Sequence, residues 1–201
     1  FLPISMQRLM NVESSIIKIF IFKDDIRIFE TTKIRRISLM LDVQIKEITK
    51  DDNPQIESVI RSVFIELNLP LKGTAYEDPE TSAMYEAYDR PQSIYFVVKS
   101  NGEILGGAGI QPLKSHSQAV CELQKMYVLT KIRGCGIGQK LMDCCLDAAR
   151  SFGFKKCYLE TIPALHSAVD LYRRNDFLEL QAPLGATGHH NCGIWMIKDL
   201  L

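Results

Sequence analysis

A glycine-rich segment, RGCGIG, is the part of this sequence best suited to bind a charged ligand. It extends from Arg133 to Gly138, after a strand-like apolar segment (Ala119 to Val128) and before a helical pattern. A helix that begins directly after such a turn presents backbone N–H groups without intrahelical partners, and its dipole favours negative charge. The spacing therefore predicts a site for an anionic ligand at the start of this helix.

Two familiar phosphate-binding motifs do not fit this segment. A P-loop requires GxxxxGK[ST], but Gln139 stands five positions after Gly134 and Leu141 follows Lys140. A dinucleotide fingerprint requires GxGxxG, yet Gly134 and Gly136 are followed by Gln139 at the third position. The spacing therefore favours neither a nucleoside triphosphate nor a dinucleotide.

A third pattern fits. The segment ELQKMYVLTKIRGCGIGQKLM, followed by YLET and then by AVDLYRRNDF, resembles the GCN5-related N-acetyltransferase (GNAT) superfamily of acyl-CoA-dependent acetyltransferases. The resemblance covers Val43 to Leu200 in the order of elements, and its specific part is [RQ]xxGxG, matched by Arg133, Gly136 and Gly138. A structural turn with surplus glycines is the competing interpretation. It leaves the position between a strand ending in MYV and a helix unexplained.

The resemblance implies acetyl-CoA as co-substrate and no metal. In the family, the glycine loop holds the pyrophosphate of coenzyme A, and the preceding strand is splayed at a bulge so that the pantetheine arm pairs with its backbone. The N–H of Val128 is the implied donor to the thioester carbonyl. The implied cofactor-binding residues are Met126, Tyr127, Val128, Arg133, Gly134, Cys135, Gly136, Ile137, Gly138 and Gln139.

Two residues are candidates for proton transfer. A thioester is attacked by a neutral amine, whereas an amine with a pKa of about 10.4 is an ammonium ion at neutral pH. The resemblance implies that Glu122, which shares a strand face with Gln124, draws this proton away through water; a solvated strand-edge glutamate is the alternative. It also implies that Tyr172 is the general acid near the coenzyme sulfur, the alternative being a core tyrosine beside Leu165 and Val169.

The sequence departs from the family pattern at two positions. Leu165 stands where the family often has an asparagine that binds pantetheine, so that contact is not expected here. Asp176 replaces the glycine that usually precedes Phe177 at the end of the helix. Because Asp tolerates the left-handed conformation, we expect the helix to end in the same way.

The sequence gives weaker indications of the acceptor amine and of the role of the C-terminal segment GHHNCG (188–193). Aromatic and acidic residues between the first helices indicate a small cationic amine, although a helix surface would look similar (Tyr76, Glu77, Met84, Tyr85 and Tyr88). In the tail, His189, His190 and Cys192 offer at most three metal ligands from one loop, and no fourth is evident. We expect this loop to line the acceptor pocket or to turn the chain. A metal-binding regulatory protein is the third hypothesis.

Composition limits the partners. Lys and Arg total 24, as do Asp and Glu, so the formal charge is zero and nothing attracts the chain to nucleic acid or a membrane surface. Six scattered cysteines without a CxxC pair favour a reducing, cytoplasmic setting. The best apolar run, Ile16 to Phe22, is broken by Lys18 and is far shorter than the roughly 20 residues of a membrane span. A homodimer is among the oligomeric states that these features allow.

The order of elements predicts a mixed α/β fold. The resemblance implies a GNAT-like central mixed, mostly antiparallel sheet of about six to seven strands, flanked by helices and splayed at the acyl-CoA cleft. Residues 40–201 are predicted to form a single domain. Residues 1–39 contain no glycine, one proline and many isoleucines, so we expect an N-terminal extension, either non-native or derived from upstream sequence. The alternative is that this stretch packs on the domain, since its apolar side chains would be costly to leave in water.

These features lead to one principal functional hypothesis. The chain is expected to be an N-acetyltransferase that moves acetyl from acetyl-CoA to a primary amine of a small molecule or peptide, by direct attack in a ternary complex. The alternative is a non-catalytic acyl-CoA-binding or sensor module of the same fold.

Overall fold

The computed structural model describes residues 43–188 and 192–201. The predicted extension 1–39 lies outside them, as do His189 and His190. The strands are β1 (Gln44–Glu47), β2 (Ile94–Ser100), β3 (Glu103–Pro112), β4 (Val120–Val128), β5 (Lys156–Thr161), β6 (Leu178–Leu180) and β7 (Ile194–Asp199). The α-helices are α1 (Asn53–Glu66), α2 (Met84–Tyr88), α3 (Ile137–Ser151) and α4 (His166–Arg174). Short 3₁₀ turns are formed by Lys50–Asp52, Pro79–Ser82 and Thr130–Ile132.

The strands form one seven-stranded sheet in the order β1-β2-β3-β4-β5-β7-β6. Every pairing is antiparallel except that of β4 with β5, which is parallel. This confirms the predicted mixed, mostly antiparallel sheet with flanking helices. The helix α3 connects the two parallel strands, as a crossover between such strands must.

Helix α1 begins and packs as its sequence pattern predicts. Pro54 lies in its first turn, where the missing N–H costs nothing. The Asn-Pro pair predicts Asn53 as the N-cap, but the N-cap is Asp52, one residue earlier. Apolar residues at positions 56, 59, 60, 63, 64 and 67 have the i, i+3, i+4 spacing that predicts one buried helix face. The first five are buried (Ile56, Val59, Ile60, Val63 and Phe64), whereas Leu67 is 39% exposed because the helix ends at Glu66.

The hairpin of β2 and β3 forms at Asn101-Gly102, a dipeptide that predicts a hairpin when it stands between two apolar segments. Asn101 has φ 51° and Gly102 φ 78°, the left-handed pair that a two-residue hairpin requires. Across this turn Ser100 pairs with Glu103. The second strand of this hairpin, β3, pairs in turn with β4.

Two of the hydrophobic clusters are built mainly on α3 and on α1. Side chains of α3, among them Leu141, Met142 and Cys145, pack with Cys121 and Leu123 of β4 in the first cluster. Side chains of α1 and α2 form the second with Tyr95 and Val97 of β2. Cys145 is fully buried and packs as a small apolar side chain. In the part of the chain that the structure describes, no helix has the length and apolar character needed to span a bilayer.

Candidate active site

Strands β4 and β5 separate part-way along their length, and the gap between them is the centre of the site. Their parallel pairing extends from Val120–Lys156 to Leu123–Leu159 and stops there, although both strands continue. At this point β4 contains a bulge: Lys125 and Met126 together lie opposite Ala108 of β3. Lys125 has φ 49°, which turns the strand away from its neighbour. The predicted splay and bulge are therefore both present.

Tyr95 holds the bulge in place from the other side of β3. Its hydroxyl donates to the carbonyl oxygen of Lys125 at 2.8 Å, and the residue is fully buried. The ring crosses β3 at two glycines, because a Cβ on either Gly107 or Gly109 would lie 2.5 Å from ring atoms of Tyr95. The glycines of β3 therefore make room for the side chain that fixes the bulge.

The backbone N–H of Val128 points into the gap. The Leu129 N–H donates to the Leu105 carbonyl at 2.8 Å, so the neighbouring pair of Val128 with Gly106 is the non-hydrogen-bonded type of antiparallel pair. The N–H and carbonyl of Val128 consequently face away from β3. The N–H is thus directed to the side that β5 has left, where the predicted thioester donor has to be.

The glycine loop leads directly into the first turn of α3. Gly134 has φ 71° and Gly136 φ 77°, a left-handed conformation that a side chain would strain. Gly136 is the N-cap, and among the described residues no side chain caps this helix. The N–H groups of the first turn are therefore available to an anion, and the helix dipole favours it there.

Arg133 braces the loop through contacts within the protein. Its guanidinium forms a two-pronged pair with Glu66 of α1, at 2.8 and 3.0 Å, while Nε donates to the Val128 carbonyl at 2.9 Å. Its backbone N–H donates to the carbonyl of Thr130. Hydrogen bonds from Thr130 and Arg133 lower the pKa of Glu66. Arg133 thus links the glycine loop to the end of β4.

The other predicted loop residues divide between the groove and the core. Ile137 is 2% exposed and packs in the core, and Cys135 packs against the same cluster. Gln139 exchanges two hydrogen bonds with Asn175 at the end of α4, at 2.7 and 2.9 Å. This reciprocal amide pair joins the first turn of α3 to α4 and sets the width of the groove between them.

A groove of about 650 Å³ brings most of the predicted cofactor residues together. Met126, Tyr127 and Val128 form one wall, the glycine loop forms the base, and α4 forms the other wall. Tyr172 lines this groove from α4 and is only 6% exposed. Burial raises the pKa of Tyr172 well above its usual value, so its hydroxyl keeps its proton at neutral pH. The tyrosine both packs in the core, near Phe177, and faces the groove.

Glu122 is buried on β4, outside the groove that Tyr172 lines. It is 2% exposed, and its Oε2 accepts a hydrogen bond from Gln124 Nε2 at 2.7 Å, which confirms the shared strand face. The hydroxyl of Tyr88 donates in turn to Gln124 Oε1 at 3.0 Å. Burial raises the pKa of Glu122 to about 7, against the lowering effect of Gln124 and with a further increase from Glu160. A solvated strand-edge glutamate, the alternative, is excluded.

A small cavity lies between Glu122 and the groove. It shares Met126, Tyr127, Leu165 and Tyr172 with the groove, and it is also lined by Glu122 and Glu160. On its other side it shares Glu122, Gln124 and Lys125 with a second groove of about 710 Å³. The cavity therefore connects the two grooves, and it is lined by both candidates for proton transfer, with Tyr172 shared with the first groove and Glu122 with the second.

Lys125 forms a buried ion-pair clamp at the mouth of the second groove. Its side chain is 2% exposed and lies 2.6 Å from Asp78 and 3.5 Å from Glu80. These acids belong to the 3₁₀ turn Pro79–Ser82 and its cap. Lys125 consequently fastens the second groove's outer wall to the bulge of β4.

Of the residues predicted to shape the acceptor site, Glu77 lines the second groove. Met84 and Tyr88 are buried, and Tyr88 reaches the site through Gln124. Tyr76 packs on Phe64 and beneath the guanidinium of Arg61, and Tyr85 lies away from the gap. Of the five residues, only Glu77 therefore lines the second groove, whereas Met84 and Tyr88 contribute packing and not an open surface.

Three further predicted features can be placed. Asp176 has φ 61°, which confirms the left-handed end expected for α4. Leu165 lines both the groove and the cavity, as an apolar wall. Cys192 lines the cavity, and burial raises the pKa of its thiol to about 12. Within residues 43–188 and 192–201, no three His, Cys, Asp or Glu side chains are grouped as metal ligands.

Sequence reasoning missed two charged residues of the site, Lys125 and Glu160. A break in the alternation of β4 marks Lys125, because polar residues stand at 122, 124 and 125 in succession. Glu160 is the one charged residue in the segment CYLET (157–161), whose composition is otherwise typical of a buried strand. A carboxylate at the end of a buried strand is rare unless it is paired or functional, and this was the available signal.

Comparison with known proteins agrees with this geometry. The model of the acetyltransferase (GNAT) family matches residues 61–177, more than half of the chain. The chain belongs to the GNAT family of acetyltransferases. It is also 42% identical, over 156 residues, to the N-acetyltransferase YjgM of Escherichia coli K12, which carries the description uncharacterized; the match covers 77% of this chain and 93% of that protein. The family and the enzyme class implied by the resemblance are confirmed.

Solved structures of GNAT acetyltransferases share the fold. A GNAT-family acetyltransferase from Staphylococcus aureus Mu50 matches with a TM-score of 0.70 and 22% identity, over 79% of this chain and 99% of that one. The Salmonella typhimurium protein YncA, with its cofactor acetyl-CoA, matches with a TM-score of 0.65 and 19% identity, over 80% of this chain and 95% of that one. These similarities confirm the predicted GNAT architecture.

Proposed function

We propose that this GNAT protein transfers acetyl from acetyl-CoA to a primary amine of a small molecule or peptide, by direct attack in a ternary complex. One observation carries the proposal. The gap between β4 and β5 joins a groove with an uncapped helix start to a second groove that holds a buried carboxylate, and a tyrosine faces the junction. One substrate can enter from each side and meet the other there.

The first groove has the donors that coenzyme A requires. The N–H groups at the start of α3 are suited to its pyrophosphate, and the free edge of β4 from Met126 to Val128 is suited to the amides of the pantetheine arm. The presence of acetyl-CoA in the YncA structure supports this use of the fold. In this proposal Arg133, which is held by Glu66 and Val128, shapes the loop and its side chain does not bind phosphate.

The second groove and the cavity supply the groups that act on the amine. Glu122 takes one proton from the ammonium ion, which frees the lone pair for attack on the thioester carbon. The Val128 N–H stabilises the negative charge that develops on the carbonyl oxygen. As the carbon–nitrogen bond forms and the carbon–sulfur bond breaks, Tyr172 gives its proton to the thiolate, and the second proton of the nitrogen restores the hydroxyl. Glu122 then releases its proton to solvent.

The properties of Glu122 and Tyr172 suit these roles. A base works best with a pKa near the working pH, and burial raises the pKa of Glu122 to about 7. A general acid must be protonated beforehand, and the raised pKa of Tyr172 ensures this. Near neutral pH Glu122 can therefore take up a proton while Tyr172 retains its own, as a base and an acid at one site require.

A thiol-release screen tests the proposal. The parent chain is incubated with acetyl-CoA and with amino acids, polyamines, aminoglycosides or short peptides, and free coenzyme A is measured. Release that depends on both the protein and one class of amine, together with acetylated product in the mass spectrum, supports it. Acetyl-CoA binding without acceptor-dependent release across the panel contradicts it and favours the non-catalytic acyl-CoA-binding module.

A further inference from the structure

We propose that Glu160 is a specificity residue of the acceptor site, where its buried carboxylate oxygen receives an N–H of a protonated amine and selects cationic acceptors over neutral nucleophiles. This rests on the proposed function, because it names the acceptor class of the same site. The position of Glu160, its hydrogen bonds and the charges around it each support the assignment.

Strand register places Glu160 beside Glu122. In the parallel pair, Glu122 lies opposite Tyr158, and Glu160 follows Tyr158 by two residues on the same face of β5. The pairing of β4 with β5 ends at Leu123 and Leu159, so Glu160 lies where the two strands have separated. Glu122 and Glu160 both line the cavity that also contains Tyr172.

One oxygen of Glu160 is held and the other lacks a donor. Oε1 accepts from the hydroxyl of Tyr158 at 2.9 Å and from that of Thr187 at 2.8 Å. Oε2 is buried, and among the described residues it has no hydrogen-bond donor. A buried carboxylate oxygen without a donor is unfavourable, so the protein maintains it against a stability cost. A bound ammonium ion, with three N–H donors, would remove that cost.

The surrounding charges leave the cavity suited to a cation. Gln124 and Lys125 on β4, Glu160 on β5 and Glu80 of the 3₁₀ turn influence Glu122. The one cation of this set, Lys125, is engaged by Asp78 and Glu80 at the outer wall. The carboxylates of Glu122 and Glu160 therefore face the cavity together, and a protonated amine there would contact both.

The test uses two small probes of the same shape. Affinities of n-butylamine, which is cationic near neutral pH, and of n-butanol are measured by ligand-observed NMR titration with coenzyme A present at saturation. The parent chain is compared with Glu160→Gln and with Glu179→Gln, a control on exposed strand β6. We expect the parent and the control to bind the amine more tightly than the alcohol. In Glu160→Gln the ratio of the two affinities should fall about tenfold, as for the loss of one charge-assisted hydrogen bond.

A second variant and a melting-temperature measurement distinguish loss of the charge from misfolding. Glu160→Asp keeps the charge but withdraws it by one methylene group, so it should lose part of the preference. The melting temperature of Glu160→Gln should not fall, because the substitution removes the charge of a carboxylate that has one buried oxygen without a donor, while the amide oxygen can still accept from Tyr158 and Thr187. An unchanged amine-to-alcohol ratio in either variant, or no preference in the parent, overturns the assignment.

Turnover of n-butylamine on the same samples separates this inference from the proposed function. Turnover in the parent with an unchanged KM in Glu160→Gln would overturn the role of Glu160 alone. A preference for the amine that depends on Glu160, without turnover of any acceptor in the screen, would support Glu160 as the cation site and overturn acetyl transfer.

Discussion

Replacement of Glu122 by Gln should make the protein more stable above neutral pH while it removes most of the activity. The carboxylate is buried, and its pKa is raised from an ordinary 4.5 to about 7. At about 1.4 kcal/mol for each tenfold change in proton affinity, this rise corresponds to roughly 3 kcal/mol. The ionised carboxylate thus reduces the free energy of unfolding by about this amount.

The sign follows from which state binds the proton. Below about pH 4.5 Glu122 is protonated in both the folded and the unfolded chain, and its contribution to stability is complete. Between pH 4.5 and about 7 the unfolded chain releases the proton while the folded chain retains it, so this contribution is lost as the pH rises. The amide introduced by Glu122→Gln would not ionise, and its oxygen can still accept from Gln124.

Thermal melts of the parent, Glu122→Gln and the surface control Glu179→Gln at about pH 5 and pH 8 measure this effect. At about 2 to 4 °C for each kcal/mol in a domain of this size, Glu122→Gln should melt about 6 to 12 °C above the parent at the higher pH and much closer to it at the lower. With an acceptor from the screen, kcat/KM should fall about 10² to 10⁴-fold, and the acid limb near pH 7 should disappear.

Two results would contradict this reasoning. A Glu122→Gln protein that is no more stable than the parent at pH 8 would mean that Glu122 is not a buried, destabilising charge. Retention of both kcat/KM and the acid limb would mean that another group is the base.

Three other substitutions test separate parts of the site. Tyr172→Phe should lower kcat and kcat/KM together by about 10² to 10⁴-fold with acetyl-CoA affinity intact; normal turnover across the pH range would reduce the tyrosine to packing. Gly136→Val should abolish acetyl-CoA binding in calorimetry, because a β-branched residue is strained at φ 77°; equal affinity would move the pyrophosphate site elsewhere. Lys125→Met should lower the free energy of unfolding by about 3 kcal/mol in denaturant titrations, because it removes the buried cation that pairs with Asp78; an unchanged midpoint would show that the clamp is not needed.

Local patterns account for most of the fold. The stripe from Ile56 to Phe64, the Asn101-Gly102 turn and the glycine loop each have one favoured conformation, so the sequence alone predicts α1, the first hairpin and the strand–loop–helix unit. Strand β6 was missed. It has only three residues and packs at the sheet edge, where Leu178 is 71% exposed, so no alternation marks it.

The arrangement of the site was only partly predictable. The shared face of Glu122 and Gln124 follows from strand alternation, whereas the surroundings of Glu122 include Tyr88 and Glu160, which come from distant parts of the chain. Glu160 needs the register between β4 and β5, which a single sequence does not contain. Arg133 matches the family motif by position, yet its contact with Glu66 depends on where α1 packs.

Amide hydrogen exchange with and without acetyl-CoA tests most directly the central claim, that the gap between β4 and β5 is the acyl-donor site. Exchange of the whole chain is followed by mass spectrometry at saturating acetyl-CoA. We predict slower exchange in peptides that contain Val128 and Gly134 to Gly138, and little change at β1 and β6. Acetyl-CoA binding that leaves exchange at Val128 and the glycine loop unchanged would contradict this claim.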